Sequence, residues 1–362
     1  MATLSEKDET ALNFYTSNAL FQRLADSYTS LQERREALGL SNPGTIDNIA
    51  KEVERDVFLN NSAFSGLRAD ITKAFSVSPL FQVSHSLSMG SPNGNPYSFA
   101  VLYGSPSVFC QANIDNDFGL LGRFNWRWSQ ALVTKSSVQL QPGAAAGNMF
   151  SLEQDYTGAD FTASVKAMNP NILDGGLTGI FIGDYLQSVT PSLSLGLNAM
   201  WQRAAMNQGP ETLVSYAARY KTREWVASAR LLSAGGLQCS YWRRLAERVE
   251  AGVDVNLQFQ PGLGLSSGMM GGGMKKEGVT TLGAKYEFRQ SAFRAQVDSQ
   301  GRLGCLLEKR IAPAVTVSFF GEIDHVKTQS RLGLAVSIEN AAEEVLEQQE
   351  RGVGNDVLPP PF

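Results

Sequence analysis

Between Gly66 and Glu339 the chain repeats one pattern, segments of about 9 to 12 residues in which apolar and polar side chains alternate. Period-2 alternation marks a β-strand with one apolar and one polar face. In 249–259, Val249, Ala251, Val253, Val255, Leu257 and Phe259 oppose Glu250, Gly252, Asp254, Asn256 and Gln258. In 331–339, Leu332, Leu334, Val336 and Ile338 oppose Arg331, Gly333, Ala335, Ser337 and Glu339. Nineteen segments follow this rule: 66–76, 79–89, 97–105, 108–116, 118–128, 131–141, 148–157, 160–168, 176–187, 192–204, 211–221, 225–233, 236–245, 249–259, 278–288, 291–299, 302–311, 315–324 and 330–339.

Segment length decides what the apolar face meets. Strands of soluble sheets are commonly about 5–6 residues long. A tilted strand needs roughly 9–11 to cross a bilayer. The polar faces carry many charges, which a water-filled lumen tolerates and a narrow protein core does not. Connections such as 76–79, Asp117-Phe118 and Gly158-Ala159 are short. They suit antiparallel hairpins, and leave no room for the crossovers of about a dozen residues that parallel neighbours need. Tyr97, Trp126, Trp128, Tyr156, Tyr185, Trp201, Tyr220, Trp225 and Tyr286 lie near segment ends, as interfacial girdles do. The fold class expected is an all-β membrane protein, a closed transmembrane meander of about nineteen strands.

Composition removes other classes. The 362 residues carry a net charge of −4 and contain no run of 18 apolar residues. That argues against a basic nucleic-acid binder and against a helical membrane protein. Cys110, Cys239 and Cys305 are far apart, and His85 and His325 are the only histidines. No metal site or cofactor is expected, and no HExxH, GxSxG or P-loop points to an enzyme. Residues 1–10 have neither the basic-then-apolar order of a secretory signal nor the Arg-rich, acid-poor composition of a matrix-targeting peptide.

Residues 1–43 are polar and mixed in charge, expected partly helical or disordered. After Asn42-Pro43-Gly44, Thr45 is a candidate N-cap. Ile46, Ile49, Ala50, Val53 and Val57 then share one face of a helix placed in 45–62. That helix could cover a sheet or run through a barrel. The Gly- and Met-rich stretch 261–277 is a loop, either a surface insertion or a surface for apolar peptide. Residues 340–362 read as a short acidic helix and a proline-rich tail.

Nineteen membrane-type strands, no signal peptide and a helix before the first strand resemble the eukaryotic porin superfamily of the mitochondrial outer membrane. The resemblance covers about 45–339. It is most specific in the hairpin Gly66-Leu-Arg-Ala-Asp-Ile-Thr-Lys-Ala-Phe-Ser-Val-Ser-Pro-Leu-Phe-Gln-Val-Ser-His-Ser86 and the preceding helix. Within the superfamily the chain is similar to the channel-forming subunits of the protein-import translocase (the TOM complex), of fungal type. The resemblance implies that 66–76 pairs in parallel with 330–339 and that the helix lies inside the pore. It implies a sorting signal at Arg331, Gly333, Val336 and Ile338, read by the barrel-insertion machinery. It implies localisation in that membrane, homo-oligomers of barrels, a central receptor and small single-helix subunits as partners, and intermembrane-space chaperones reached by 1–43.

Such a pore passes precursors with basic presequences and should offer them spaced acids. Alternation turns Asp70, Asp115, Glu153, Asp155, Glu250, Asp254, Glu322, Asp324 and Glu339 into the lumen. It also turns in Arg68, Arg123, Arg127, Lys166, Arg219 and Lys285, so any acidic track is local. The rival reading is a metabolite and ion pore like the voltage-dependent anion channel. The long segment before the first strand and the negative net charge lean against it.

Overall fold

The computed structural model describes residues 35, 38–60, 62–77, 79–90, 96–143, 148–171, 177–204, 209–233, 235–260, 275–341 and 360–361. Residues 1–34, 36–37, 261–274, 342–359 and 362 are not among them, so the expectations for the early N-terminal segment, most of the Gly/Met loop and the C-terminal helix lie outside the described residues.

Nineteen strands form one sheet: β1 (Gly66–Val77), β2 (Leu80–Met89), β3 (Tyr97–Gly104), β4 (Val108–Asp115), β5 (Leu120–Arg127), β6 (Leu132–Leu140), β7 (Met149–Thr157), β8 (Phe161–Asn171), β9 (Thr178–Ser188), β10 (Leu193–Arg203), β11 (Glu211–Lys221), β12 (Trp225–Leu232), β13 (Gly236–Ala246), β14 (Val249–Gln260), β15 (Lys275–Glu287), β16 (Ser291–Asp298), β17 (Arg302–Ala312), β18 (Val315–Asp324) and β19 (Gln329–Ala341). Each pairs antiparallel with its neighbours in sequence, and β1 pairs in parallel with β19. An up-and-down meander with an odd number of strands can close only in this way, because its first and last strands point in the same direction. The closing register runs from Gly66 opposite Gly333 to Ala74 opposite Ala341. Closure leaves no sheet edge unpaired, which lipid would not tolerate. The expected segments match these strands to within three residues at their ends.

The two faces separate as the alternation requires. Leu67, Ile71, Leu87, Leu195, Leu282, Phe319 and Leu332 are exposed on the outside, which suits contact with hydrocarbon. Odd-numbered strands end at one rim, here called the Val77 rim, and begin at the opposite one, the Gly66 rim. Rings gather at the Val77 rim: Trp126 against Trp128, Tyr156 and Tyr185 against Phe161, and Trp225 between Tyr220 and Tyr241. His85 also points outward, with its Nδ1 2.7 Å from the Tyr97 hydroxyl. That bond satisfies a polar group that lipid would otherwise penalise.

Residues 45–59 lie inside the barrel. Ile49 and Val57 are 0 % exposed and Val53 1 %, so the apolar stripe meets the wall. The segment is not a regular α-helix. It opens with tight turns (Asn48 N to Thr45 O, Ile49 N to Ile46 O) and widens to a π-helix at Glu52–Val57, closed by Phe58 N to Val53 O at 2.9 Å. The helical run is therefore shorter than the 45–62 expected, because Phe58 turns extended to reach the wall. Thr45 Oγ1 accepts from the Asn48 side chain at 2.9 Å, not from a backbone N–H as an N-cap would.

Candidate functional site

A lumen is useful only if its inner wall and its contents are arranged. The segment 45–64 crosses the wall obliquely, from β10 near the Val77 rim to β19 near the Gly66 rim. Where it passes, the wall has glycine. A Cβ placed on Gly196 would come 3.0 Å from Ile46 Cδ1, and one on Gly252 3.2 Å from Val53 Cγ1. One on Gly283 would meet Phe58 Cδ1 at 2.7 Å, one on Gly304 Leu59 Cδ1 at 2.9 Å, and one on Gly333 the Phe64 ring at 2.7 Å. Gly252 stands directly opposite Gly283 on β14 and β15. Apolar wall residues complete the seat. Val226 and Trp242 pack with Val53, Val57 and Phe58, while Leu306 and Phe320 pack with Leu59 and Phe64.

Polar wall residues fix the segment between these seats. Arg219, 7 % exposed, pairs with Glu52 and donates from Nη1 to the Pro43 carbonyl at 3.1 Å. Arg230 donates to the Ile46 carbonyl. Gln238 donates to Glu54 at 3.1 Å, and the Leu59 N–H donates to Gln296 Oε1 at 2.9 Å. At the Val77 rim the chain is clasped again. Arg35 forms two 2.6 Å hydrogen bonds to Asp160, Asn42 donates to the carbonyls of Gly158 and Phe161, and Ser188 donates to the Ser41 carbonyl. Burial pushes the Asp160 carboxyl up, but the Arg35 guanidinium and the Gln187 amide more than offset this and hold it below the usual range.

Strand register turns all nine expected acids inward, spread over β1, β4, β7, β14, β18 and β19. Five have cation partners on the wall. Arg68 lies 2.9 Å from Asp70, and Lys135 lies 2.7 Å from Asp155 and 3.4 Å from Glu153. Lys166 reaches Glu153 at 3.6 Å, Arg244 reaches Glu250 at 3.5 Å, and Arg302 reaches Asp324 at 3.4 Å. Asp115, Asp254, Glu322 and Glu339 have no cation within 4 Å among the described residues. The structure brings together Glu153 and Asp155 and, on one strand, Glu250 and Asp254. It does not gather the nine into one track. Asp184, which sequence reasoning missed, adds an inward carboxylate on β9, bonded by Asn198 and Ser164. Ile180, Ile182 and Leu186 share its inward face on β9, so polar–apolar alternation gives no signal for it. Arg123 faces the lumen exposed, Arg127 is bonded to the Pro106 carbonyl, and Lys285 pairs with Glu287 at 2.5 Å.

Of the expected sorting residues, Arg331 faces inward across from Glu322, and Gly333 holds the Phe64 seat. Val336 and Ile338 face outward on the same strand. Among the described residues no cluster of three His, Cys, Asp or Glu side chains could hold a metal ion.

Comparison with known proteins places this architecture. The model of the family described as "Eukaryotic porin" matches residues 42–333. The chain is 53 % identical over 343 residues to "Mitochondrial import receptor subunit tom40" of Neurospora crassa, covering 94 % of this chain and 96 % of that one. It is 40 % identical over 356 residues to the Saccharomyces cerevisiae protein of that name, covering 96 % and 91 %. The human homologue is 25 % identical over 310 residues, covering 83 % of this chain and 79 % of that one. With a family model spanning most of the barrel and fungal relatives matched along nearly their whole length, the chain belongs to the eukaryotic porins, within the Tom40 group.

Proposed function

We propose that this chain is a protein-conducting channel of the mitochondrial outer membrane, passing unfolded precursors with basic presequences from cytosol to intermembrane space. The observation that carries the reading is a closed nineteen-stranded barrel with inward acids that have no cation within 4 Å among the described residues, in a chain aligned almost end to end with proteins named as mitochondrial import receptor subunits. A basic amphipathic helix needs carboxylates that are accessible, spaced and individually weak. Asp115, Glu322 and Glu339 meet that need better than the five neutralised acids, whereas Asp254 has one carboxylate oxygen buried.

Further parts of the reading follow from the family. Arg331, Gly333, Val336 and Ile338 serve as the insertion signal. The outer face takes a second barrel, a central receptor and small single-helix subunits. Arg35, Ser41 and Asn42 are held at the Val77 rim, so that rim faces the intermembrane space, where 1–43 engages chaperones. The lack of catalytic motifs in the sequence fits transport rather than chemistry on a substrate.

Planar-bilayer recording with a basic presequence peptide tests the reading. A cation-preferring pore blocked by the peptide in a voltage-dependent way is expected. An anion-preferring pore indifferent to the peptide would overturn it.

A further inference from the structure

We propose that the inner wall at Gly104, Phe109 and Asn125 is a binding subsite for extended polypeptide, held in the resting channel by the chain's own Pro360–Pro361. The proposal rests on the reading of this chain as a protein channel.

The three residues form one row across β3, β4 and β5, with Gly104 opposite Phe109 and Phe109 opposite Asn125. They lie at the Val77 rim, where β19 also ends. Asn125 is 0 % exposed and Phe109 2 %. Asn125 Nδ2 donates to the Pro361 carbonyl at 2.7 Å. Gly104 leaves room for Pro360, whose Cγ would lie 3.0 Å from a Cβ there. The contacts therefore comprise a hydrogen bond to the backbone and a glycine-made cleft, with the buried Phe109 between them in the row.

The occupant resembles a chain in transit. Pro360 and Pro361 have φ fixed near −65°, lack the N–H that helix and strand pairing need, and offer their carbonyls to side-chain donors. An unfolded precursor likewise offers its carbonyls whatever its sequence. A seat that reads a carbonyl is therefore tolerant of sequence, as a general import pore requires.

The tail fills this seat incompletely. Asn125 Oδ1 is buried and has no hydrogen-bond partner among the described residues. It is an acceptor awaiting an N–H, and Pro361 has none to give. A passing chain with any other residue there could engage both ends of the amide, as neighbouring strands do. Asn125 also borders a polar cavity of about 270 Å³ lined by Arg123, Ser137, Ser151, Glu153 and Lys166, which can receive side chains from the arriving segment. The tail is thus a placeholder that a precursor can displace.

A reversible lock tests the proposal. The full chain carries Gly104→Cys and Pro360→Cys, with Cys110, Cys239 and Cys305 changed to serine. A Cβ on residue 104 lies 3.3 Å from Cβ of residue 360, close to the separation of about 3.5–4.5 Å that a disulfide spans. The intramolecular bridge is expected to form on oxidation. With the tail locked, the concentration of basic presequence peptide needed for half-block should rise about tenfold, and reduction of the same protein should restore it. Failure of the bridge to form, with the reduced channel conducting normally, would show that the tail does not sit there and would overturn the proposal. A bridge that forms but leaves peptide block unchanged would overturn it too, by showing that the seat is not on the peptide's path. If the peptide fails to block even the unmodified channel, the import-channel reading itself falls and takes the subsite with it.

Discussion

Gly252 and Gly283 face each other across β14 and β15, and Val53 and Phe58 lie on top of the pair. Two missing side chains make the hollow that the lumenal segment fills. Gly283→Ala would put a methyl 2.7 Å from the Phe58 ring, whereas Gly252→Ala would put one 3.2 Å from Val53. Overpacking of this kind costs about 1–3 kcal/mol. Gly283→Ala is expected at the upper end, Gly252→Ala at the lower. Urea unfolding of the refolded barrel, with thiol labelling of a cysteine introduced at Val57, would read both. Equal labelling of the variant and the parent would contradict the packing.

Arg219 holds Glu52 and the Pro43 carbonyl. Arg219→Met strands a largely buried carboxylate, and such a break costs roughly 3–5 kcal/mol in a closed interior. The lumen is wetter, so a smaller loss is expected, seen as faster proteolysis of the N-terminal segment. The pair Arg219→Met with Glu52→Gln should recover most of it. If the double variant is as labile as the single, Glu52 is not the partner that matters.

The rim clasp is pH-dependent. The Asp160 carboxyl titrates below its unfolded value because Arg35 binds it. A depressed carboxylate contributes stability that is fully present above the unfolded pKa, about 3.9, and is lost as pH falls through the lower folded value. Protection of residues 35–44 from protease should therefore hold at neutral pH and fail only in acid below the ordinary carboxylate range. Asp160→Asn should abolish the protection at pH 7 and flatten the acid transition.

Among the described residues Asp115, Glu322 and Glu339 face the lumen with no cation within 4 Å. Converting these three to amides should lower cation preference more than the same change at Asp70, Glu153, Asp155, Glu250 and Asp324. Reversal potentials in a salt gradient measure this. A larger effect from the second set would mean that the ion pairs open in the working channel.

Gly333 has a packing duty separate from any signal. A methyl there meets the Phe64 ring and carbonyl at 2.7 Å. If Gly333→Ala impairs assembly through packing, Phe64→Ala should partly rescue it. If insertion machinery reads the glycine itself, the double variant should remain as defective in an assembly assay as the single.

Much of this protein is legible in one dimension. Strand length and alternation place residues such as Val253 and Asp254 on opposite faces, because the pleat has a period of two and every slip would invert it. The same rule turns all nine acids inward. The spacing of Ile46, Ile49, Val53 and Val57 marks a segment with one buried side. Tertiary structure decided the rest. Which acids are neutralised depends on register across strands, since Lys135 meets Asp155 only because β6 and β7 align them. The oblique row of Gly196, Gly252, Gly283, Gly304 and Gly333 is scattered over 138 positions of sequence and becomes a groove only when five strands stand in order. Pro361 lies 236 residues from Asn125 in sequence and meets it only when the barrel is closed. Local periodicity reports each residue's face. Contacts between faces come from chain closure, which no local pattern encodes.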